Sequence, residues 1–139
     1  MINLVIDTNI LVSAALSSKG NPARVISLIS DSKEIQLFYS SSILDEYEKV
    51  LAYKKLKISQ EVQEKIIKSI RIFGTEIEPA ESTIPMADES DRVFYDTAQA
   101  SQSVLITGNT RHYPAEDFIM APADFIKLWL SGQDTDTKG

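Results

Sequence analysis

Three acidic residues stand where solubility alone does not explain a carboxylate. They are Asp7 in "NLVIDTNILVSA", Glu46 in "SSILDEYEKVL" and Asp91 in "DESDRVFYDTAQA". Asp7 closes a segment at residues 2–6 whose aliphatic residues, Ile2 and Leu4 to Ile6, read as a buried strand. A partly buried, unpaired carboxylate costs free energy, which cations or hydrogen bonds must offset. Position alone leaves two readings of Asp7 open: a metal ligand, or a cap that bonds the backbone of the next helix. In the second segment Ile43, Leu44, Tyr47, Val50 and Leu51 share one helix face, and Glu46 and Glu48 flank it on opposite sides. Glu46 is nearer the helix start, but the wheel does not choose between them. Asp45 points away from that face and can complete a capping box with Ser42.

Asp91 lies on the face of Phe94 and Ala98, one turn earlier. Acidic residues suit a first helical turn, which accounts for Asp88 and Glu89 and also applies to Asp91. Asp96 falls on the opposite side of that wheel, toward solvent. Asn109 follows a strand in "LITGNTRHYP", where "GN" is also an ordinary turn signal. If Asp7, Glu46 and Asp91 converge, they form a hard, oxygen-only site suited to Mg²⁺ or Mn²⁺ rather than Zn²⁺. The chain has no cysteine and one histidine, His112, beside a turn, where a structural role is the commoner one. No Ser-His-Asp arrangement and no glycine-rich phosphate loop is present.

These residues need elements to position them. Strands are predicted at 2–6, 35–40, "TEIEPA", 103–107 and 117–121. Helices are predicted over residues 10–16 and 22–31, from Ser41 or Ser42 to Tyr53, through Val62, Ile66, Ile70 and Phe73 to a stop at Gly74, over 89–101, and from Pro122 to Leu130. The alternation predicts an α/β fold with a mainly parallel sheet covered on both faces. Ligands of such sheets bind outside the carboxyl ends of the strands, where the candidate residues fall.

At 139 residues the chain predicts one domain over 1–131, followed by a disordered tail at 132–139 without apolar residues. No run is long and apolar enough for a membrane span, and no basic stretch precedes the first apolar residues, so neither a membrane anchor nor a secretory leader is expected. With no disulfides, a cytoplasmic protein is expected. The net charge of −6 argues against a broadly basic nucleic-acid surface, yet residues 49–73 carry +5, which leaves −11 elsewhere. A solvated helix pair explains that segment as well as a binding surface does.

Taken together, "VIDTNILVSA", "SSSILDEYEKVL", "DESDRVFYDTAQAS" and "VLITGNTRHYP" resemble, in order and spacing, the PIN-domain family of metal-dependent ribonucleases. They are most similar to its VapC-like branch, the toxins of type II toxin–antitoxin pairs. The resemblance runs from Ile2 to Trp129. It implies a three-layer α/β/α sandwich around a sheet of about five strands, and an acidic cluster holding one or two Mg²⁺ or Mn²⁺ ions.

Position by position, the family's first aspartate matches Asp7, its glutamate matches Glu46 rather than Glu48, and its next aspartate matches Asp91. The fourth position, commonly aspartate, is Asn109, which offers a neutral oxygen and holds a second ion less tightly. Thr8 and Asn9 match polar residues that steady the first aspartate, and Asp96 matches a position often acidic in this branch, behind the ligands. The implied activity is metal-dependent endoribonuclease cleavage of RNA. The implied partners are an antitoxin protein and a second copy of the chain, as a homodimer or larger oligomer. Lys54, Lys55 and Lys57 are then the expected RNA-backbone contacts. The alternative is an interaction module of little or no activity that binds an antitoxin-like partner through an incomplete site. A different Mg²⁺ phosphoesterase is disfavoured, because strand one is followed by Asp7-Thr8-Asn9 and not by a DxD pair.

Overall fold

The computed structural model describes the backbone of residues 1–138 and the side chains through Gly132. Strand β1 (Ile2–Ile6) runs directly into α1 (Thr8–Leu16), and a turn leads to α2 (Asn21–Asp31), with Pro22 in its first turn. β2 (Ile35–Tyr39) and α3 (Ser41–Leu51) follow, then a 3-10 turn at Lys54–Leu56 and α4 (Gln60–Phe73). β3 (Gly74–Glu76) precedes a long loop and a 3-10 turn at Glu89–Asp91, which opens into α5 (Arg92–Ser101). β4 (Val104–Ile106), a 3-10 turn at Thr110–His112, β5 (Ile119–Met120) and α6 (Pro122–Lys138) complete the order.

The strands form one sheet in the order β3-β2-β1-β4-β5, and every pairing is parallel. β1 is central: Leu4 pairs with Leu37 on one side and Val104 on the other. Leu4, Val5 and Ile6 are buried in succession, as expected of a strand covered on both faces. Side chains alternate across a strand. Ile6 and Leu37 face Ile26 of α2 and Ile66 and Ile70 of α4 around a shared cavity. Asn3 points the other way, and its Nδ2 donates to Ser101 O at the end of α5, 2.9 Å distant. Helices α1, α2 and α4 therefore form one outer layer and α5 the other, which is the three-layer sandwich. From β1 the chain steps outward to β2 and β3, then returns to place β4 on the opposite side. The switch in direction opens a crevice beyond the carboxyl ends of β1 and β4.

Several local details depart from the sequence reading. α3 is capped one residue earlier than expected: Ser40 Oγ accepts from Ile43 N at 3.2 Å, and Asp45 completes no capping box. Gly74 ends α4 and also begins β3. A Cβ there would meet Ile70 O at 2.6 Å and the Tyr39 ring at 2.7 Å, so only glycine lets helix and strand meet so closely. β3 is correspondingly short and ends before Pro79. α6 does not stop near Leu130: its backbone stays helical through Lys138, where a disordered tail is expected, because extending a formed helix adds one bond per residue. Gly139, the last residue of that expected tail, lies outside the described residues. Among the described residues no helix is long and apolar enough to cross a membrane.

Candidate active site

Asp7 sits at the crevice, directly after β1. Its backbone N–H continues the sheet by donating to Ile106 O of β4 at 2.9 Å, and the side chain is 6% exposed. Although Asp7 occupies the N-cap position of α1, its side chain makes no capping bond. Its Oδ2 instead accepts the Thr107 hydroxyl at 2.8 Å and the Tyr113 hydroxyl at 3.0 Å. The capping reading is therefore not the one the fold adopts.

Glu46 and Glu48 separate as the wheel allows. Glu48 is exposed and pairs with Arg71 at 3.1 Å. Glu46 is half-buried and accepts a short hydrogen bond from the Thr8 hydroxyl through Oε2. One residue further on, the buried Tyr47 hydroxyl donates a short bond to Ile6 O, the carbonyl preceding Asp7. Burial, then the charges of Asp7 and Glu46, push the Tyr47 phenol well above its ordinary range, so it remains a donor.

Asp91 ends the 3-10 turn before α5 and also makes no side-chain capping bond. Asp88 does that work, accepting from Ser90 N at 3.0 Å. The Asp91 carboxyl is pushed up to about 6, first by burial and then by the charges of Asp7 and Asp88, with Glu46 adding to them and His112 opposing. Asp7, Glu46 and Asp91 thus lie in one electrostatic field, with like charges facing each other.

Asn109 is exposed on the loop after β4. Its N–H donates to Thr107 Oγ1 at 3.0 Å, and its side chain makes no cap to the following turn. Asn9 Oδ1 accepts from Gly108 N at 2.9 Å, which pins this loop to the start of α1. Thr8, expected to steady Asp7, bonds Glu46, while Asn9 pins the loop and its Nδ2 donates at 3.5 Å to Thr107 Oγ1, the hydroxyl that bonds Asp7. The residues that hold the Asp7 carboxylate are Thr107 and Tyr113. Sequence reasoning missed both, although "TGN" and "RHYP" contain them.

The expectation that Asp96 faces solvent is corrected. Asp96 is 5% exposed and does not face solvent, because α5 packs against the loop after β3 as well as on the sheet. Its Oδ2 accepts from Ser82 N of that loop at 3.0 Å, while its buried Oδ1 has no hydrogen-bond partner among the described residues. Arg92 bonds the same Ser82 through its carbonyl and hydroxyl. Lys54, Lys55 and Lys57 are exposed just past the far end of α3, and Lys57 adopts a left-handed backbone with φ 57°.

Among the described residues no three His, Cys, Asp or Glu side chains close into a ready-made metal cage. The donor set still fits Mg²⁺ or Mn²⁺, which bind through one or two carboxylates and retain water. Its donors are oxygens only, and the burial and, after it, the like charges that raise Asp91 are what a cation offsets.

The sequence model described as "PIN domain" matches residues 3–111. The uncharacterized protein MJ1680 of Methanocaldococcus jannaschii is 31% identical over 111 residues, covering 78% of this chain and 71% of that protein. Among solved structures, VapBC2 from Rickettsia felis, bound to a DNA fragment from their promoter, aligns with a TM-score of 0.53. That alignment covers 86% of this chain and 97% of the other at 16% identity, a likeness of fold.

Proposed function

The chain belongs to the PIN-domain family, and from that premise we propose that it is a metal-dependent endoribonuclease. The observation that carries the reading is Asp7. It is a buried carboxylate at the mouth of the central strand that caps nothing, is oriented by two hydroxyls, and shares a field with Glu46 and Asp91. Asp7, Glu46 and Asp91 would hold one or two Mg²⁺ or Mn²⁺ ions, with Asn109 offering a neutral oxygen. The ion supplies positive charge for the phosphate oxygens and for the attacking water. Thr8 keeps Glu46 in place, and Thr107 and Tyr113 keep Asp7 in place. One of the carboxylates accepts the proton that water loses as it attacks phosphorus in line; the P–O bond opposite breaks, and the leaving oxygen departs with its RNA fragment and takes a proton from solvent water.

The resemblance to VapC-like proteins, and a fold shared with VapBC2, support the further reading that this is the toxin of a toxin–antitoxin pair. It would act in the cytoplasm, pair with a cognate antitoxin and form a homodimer or larger oligomer.

The deciding experiment is RNA cleavage with and without Mn²⁺, comparing the wild type with Asp7→Asn. Cleavage should require Mn²⁺ and disappear in the variant, while its circular dichroism stays native. Undiminished cleavage by the variant would overturn the assignment.

Asn109, together with the open arrangement of the acids, favours the second reading, an interaction module with an incomplete site. Calorimetry separates the two: saturable Mn²⁺ binding that is lost in Glu46→Gln supports the enzyme.

A further inference from the structure

We infer that Tyr113 is a positioning residue that, with Thr107, occupies Asp7 Oδ2 and thereby reserves Oδ1 for the cation. The inference rests on the metal-site reading above and specifies how Asp7 serves it.

A carboxylate presents two oxygens with about two acceptor positions each. Both protein donors to Asp7 converge on Oδ2, Thr107 at 2.8 Å and Tyr113 at 3.0 Å, which fills its acceptor positions. Among the described residues no hydrogen bond reaches Oδ1. The carboxylate is therefore asymmetric: one oxygen is tied to the protein and the other is left for a ligand. A group bound at Oδ1 alone meets a carboxylate whose rotation is already fixed, so little freedom remains to be lost on binding.

The local sequence explains why Tyr113 reaches Asp7. Tyr113 follows the 3-10 turn at Thr110–His112, and its N–H closes that turn on Thr110 O at 3.2 Å. Pro114 comes next, and a residue before proline is driven to extended backbone; Tyr113 has φ −107° and ψ 159°. The ring is buried at 6% exposure, and its hydroxyl ends on the carboxylate across 106 positions of sequence. The loop after β4 thus delivers Thr107 and Tyr113 together onto Asp7. A phenylalanine would fill the same space, so packing alone does not account for the hydroxyl.

The test is Mn²⁺ titration by calorimetry of wild type, Tyr113→Phe and Tyr95→Phe. Tyr95 supplies the control: its buried hydroxyl bonds Glu116 at 3.0 Å, outside the site. Tyr113→Phe should weaken Mn²⁺ binding by about 10- to 100-fold, the usual effect of losing a residue that orients a ligand. Its RNA cleavage should recover when Mn²⁺ is raised to saturation, and Tyr95→Phe should bind Mn²⁺ as the wild type does. A chain with 4-aminophenylalanine installed at position 113 retains a donor at the same place and should bind within a few-fold of wild type. Wild-type affinity in Tyr113→Phe overturns the inference, as does equal weakness in the phenylalanine and aminophenylalanine chains. If the wild type itself binds no Mn²⁺, the metal-site reading fails, and the role of Tyr113 fails with it. That result is distinct from a wild type that binds and a variant that binds equally well.

Discussion

The hydroxyl of Thr8 donates to Glu46 Oε2 across 38 positions of sequence, tying the first turn of α1 to the middle of α3. Thr8 is 6% exposed and Glu46 half-buried, so the bond is partly sheltered from water. Both ends of this link adjoin groups that matter: Asp7 precedes Thr8, and Tyr47, which braces Ile6 O, follows Glu46. Replacing Thr8 with valine keeps the shape and removes the donor. Thr8→Val should cost about 1 kcal/mol of stability, read by urea denaturation. Mn²⁺-dependent cleavage should fall by about 10- to 100-fold, because Glu46 is no longer held. A loss of stability without loss of Mn²⁺ affinity would reduce Thr8 to a packing role.

The raised Asp91 carboxyl predicts an unusual pH dependence for the metal-free protein. Its value in the fold is about 6, against an ordinary 3.8, with burial first and Asp7 second among the causes. Between about pH 4 and pH 6 the folded state holds a proton that the unfolded chain has released, so stability falls as pH rises through that window. Below it the proton is bound in both states and the penalty is absent. A divalent cation reverses the trend by favouring the ionised form. Asp91 should therefore contribute a decline in the thermal midpoint from about pH 4 to pH 7.5 without Mn²⁺, against the opposite trend of the lowered Glu78, Asp88 and Glu89 carboxyls, and Mn²⁺ should raise the midpoint more at pH 7 than at pH 5. Asp91→Asn should flatten both effects, and an unchanged profile in that variant would place their origin elsewhere.

The sheet and the order of its helices were legible because β1 carries the aliphatic run Leu4-Val5-Ile6 and α3, α4 and α5 carry clear apolar faces. Asp7 was legible as a place, since a carboxylate directly after a central strand falls at the crevice. Its partners were not, because Thr107 and Tyr113 lie 100 and 106 residues away and only the β1–β4 pairing brings them near. Glu46 against Glu48 was undecidable on a wheel, since both flank one face, and only Thr8 and Arg71 separate them in space. Asp96 misled for a related reason: the wheel counts one packing face, whereas α5 packs on the sheet and also on the loop at Ser82. The end of α6 escaped because composition does not record the helix already formed upstream.

Lys54, Lys55 and Lys57 remain the proposed contacts for an RNA backbone. They are exposed on the turn past α3, clear of the acidic crevice, as a surface that holds a strand beside a repulsive site has to be. Neutralising all three to glutamine should weaken RNA binding and lower the slope of log affinity against log salt by up to about 2, if each contacts one phosphate of a single strand. The fold should not change, since none of the three is buried. An unaltered salt slope would remove these lysines from the interface.

Asn109 is where the two readings of the protein part. Its side chain is exposed and caps nothing, while its backbone is committed at both ends: the N–H donates to Thr107 Oγ1 at 3.0 Å and the carbonyl accepts from His112 N at 3.0 Å. Aspartate can therefore replace it without breaking an internal side-chain bond. The added charge should tighten Mn²⁺ binding by roughly tenfold or more, because a unit charge a few ångströms from an ion is weakly screened in a partly buried site. In an enzyme, Asn109→Asp should lower the Mn²⁺ concentration needed for cleavage and leave the rate at saturating metal close to that of wild type. In an interaction module the wild type is inert, and the substitution creates Mn²⁺ binding where none existed. Cleavage measured across a Mn²⁺ series for both proteins distinguishes these outcomes. A variant identical to wild type throughout would place Asn109 outside the metal site.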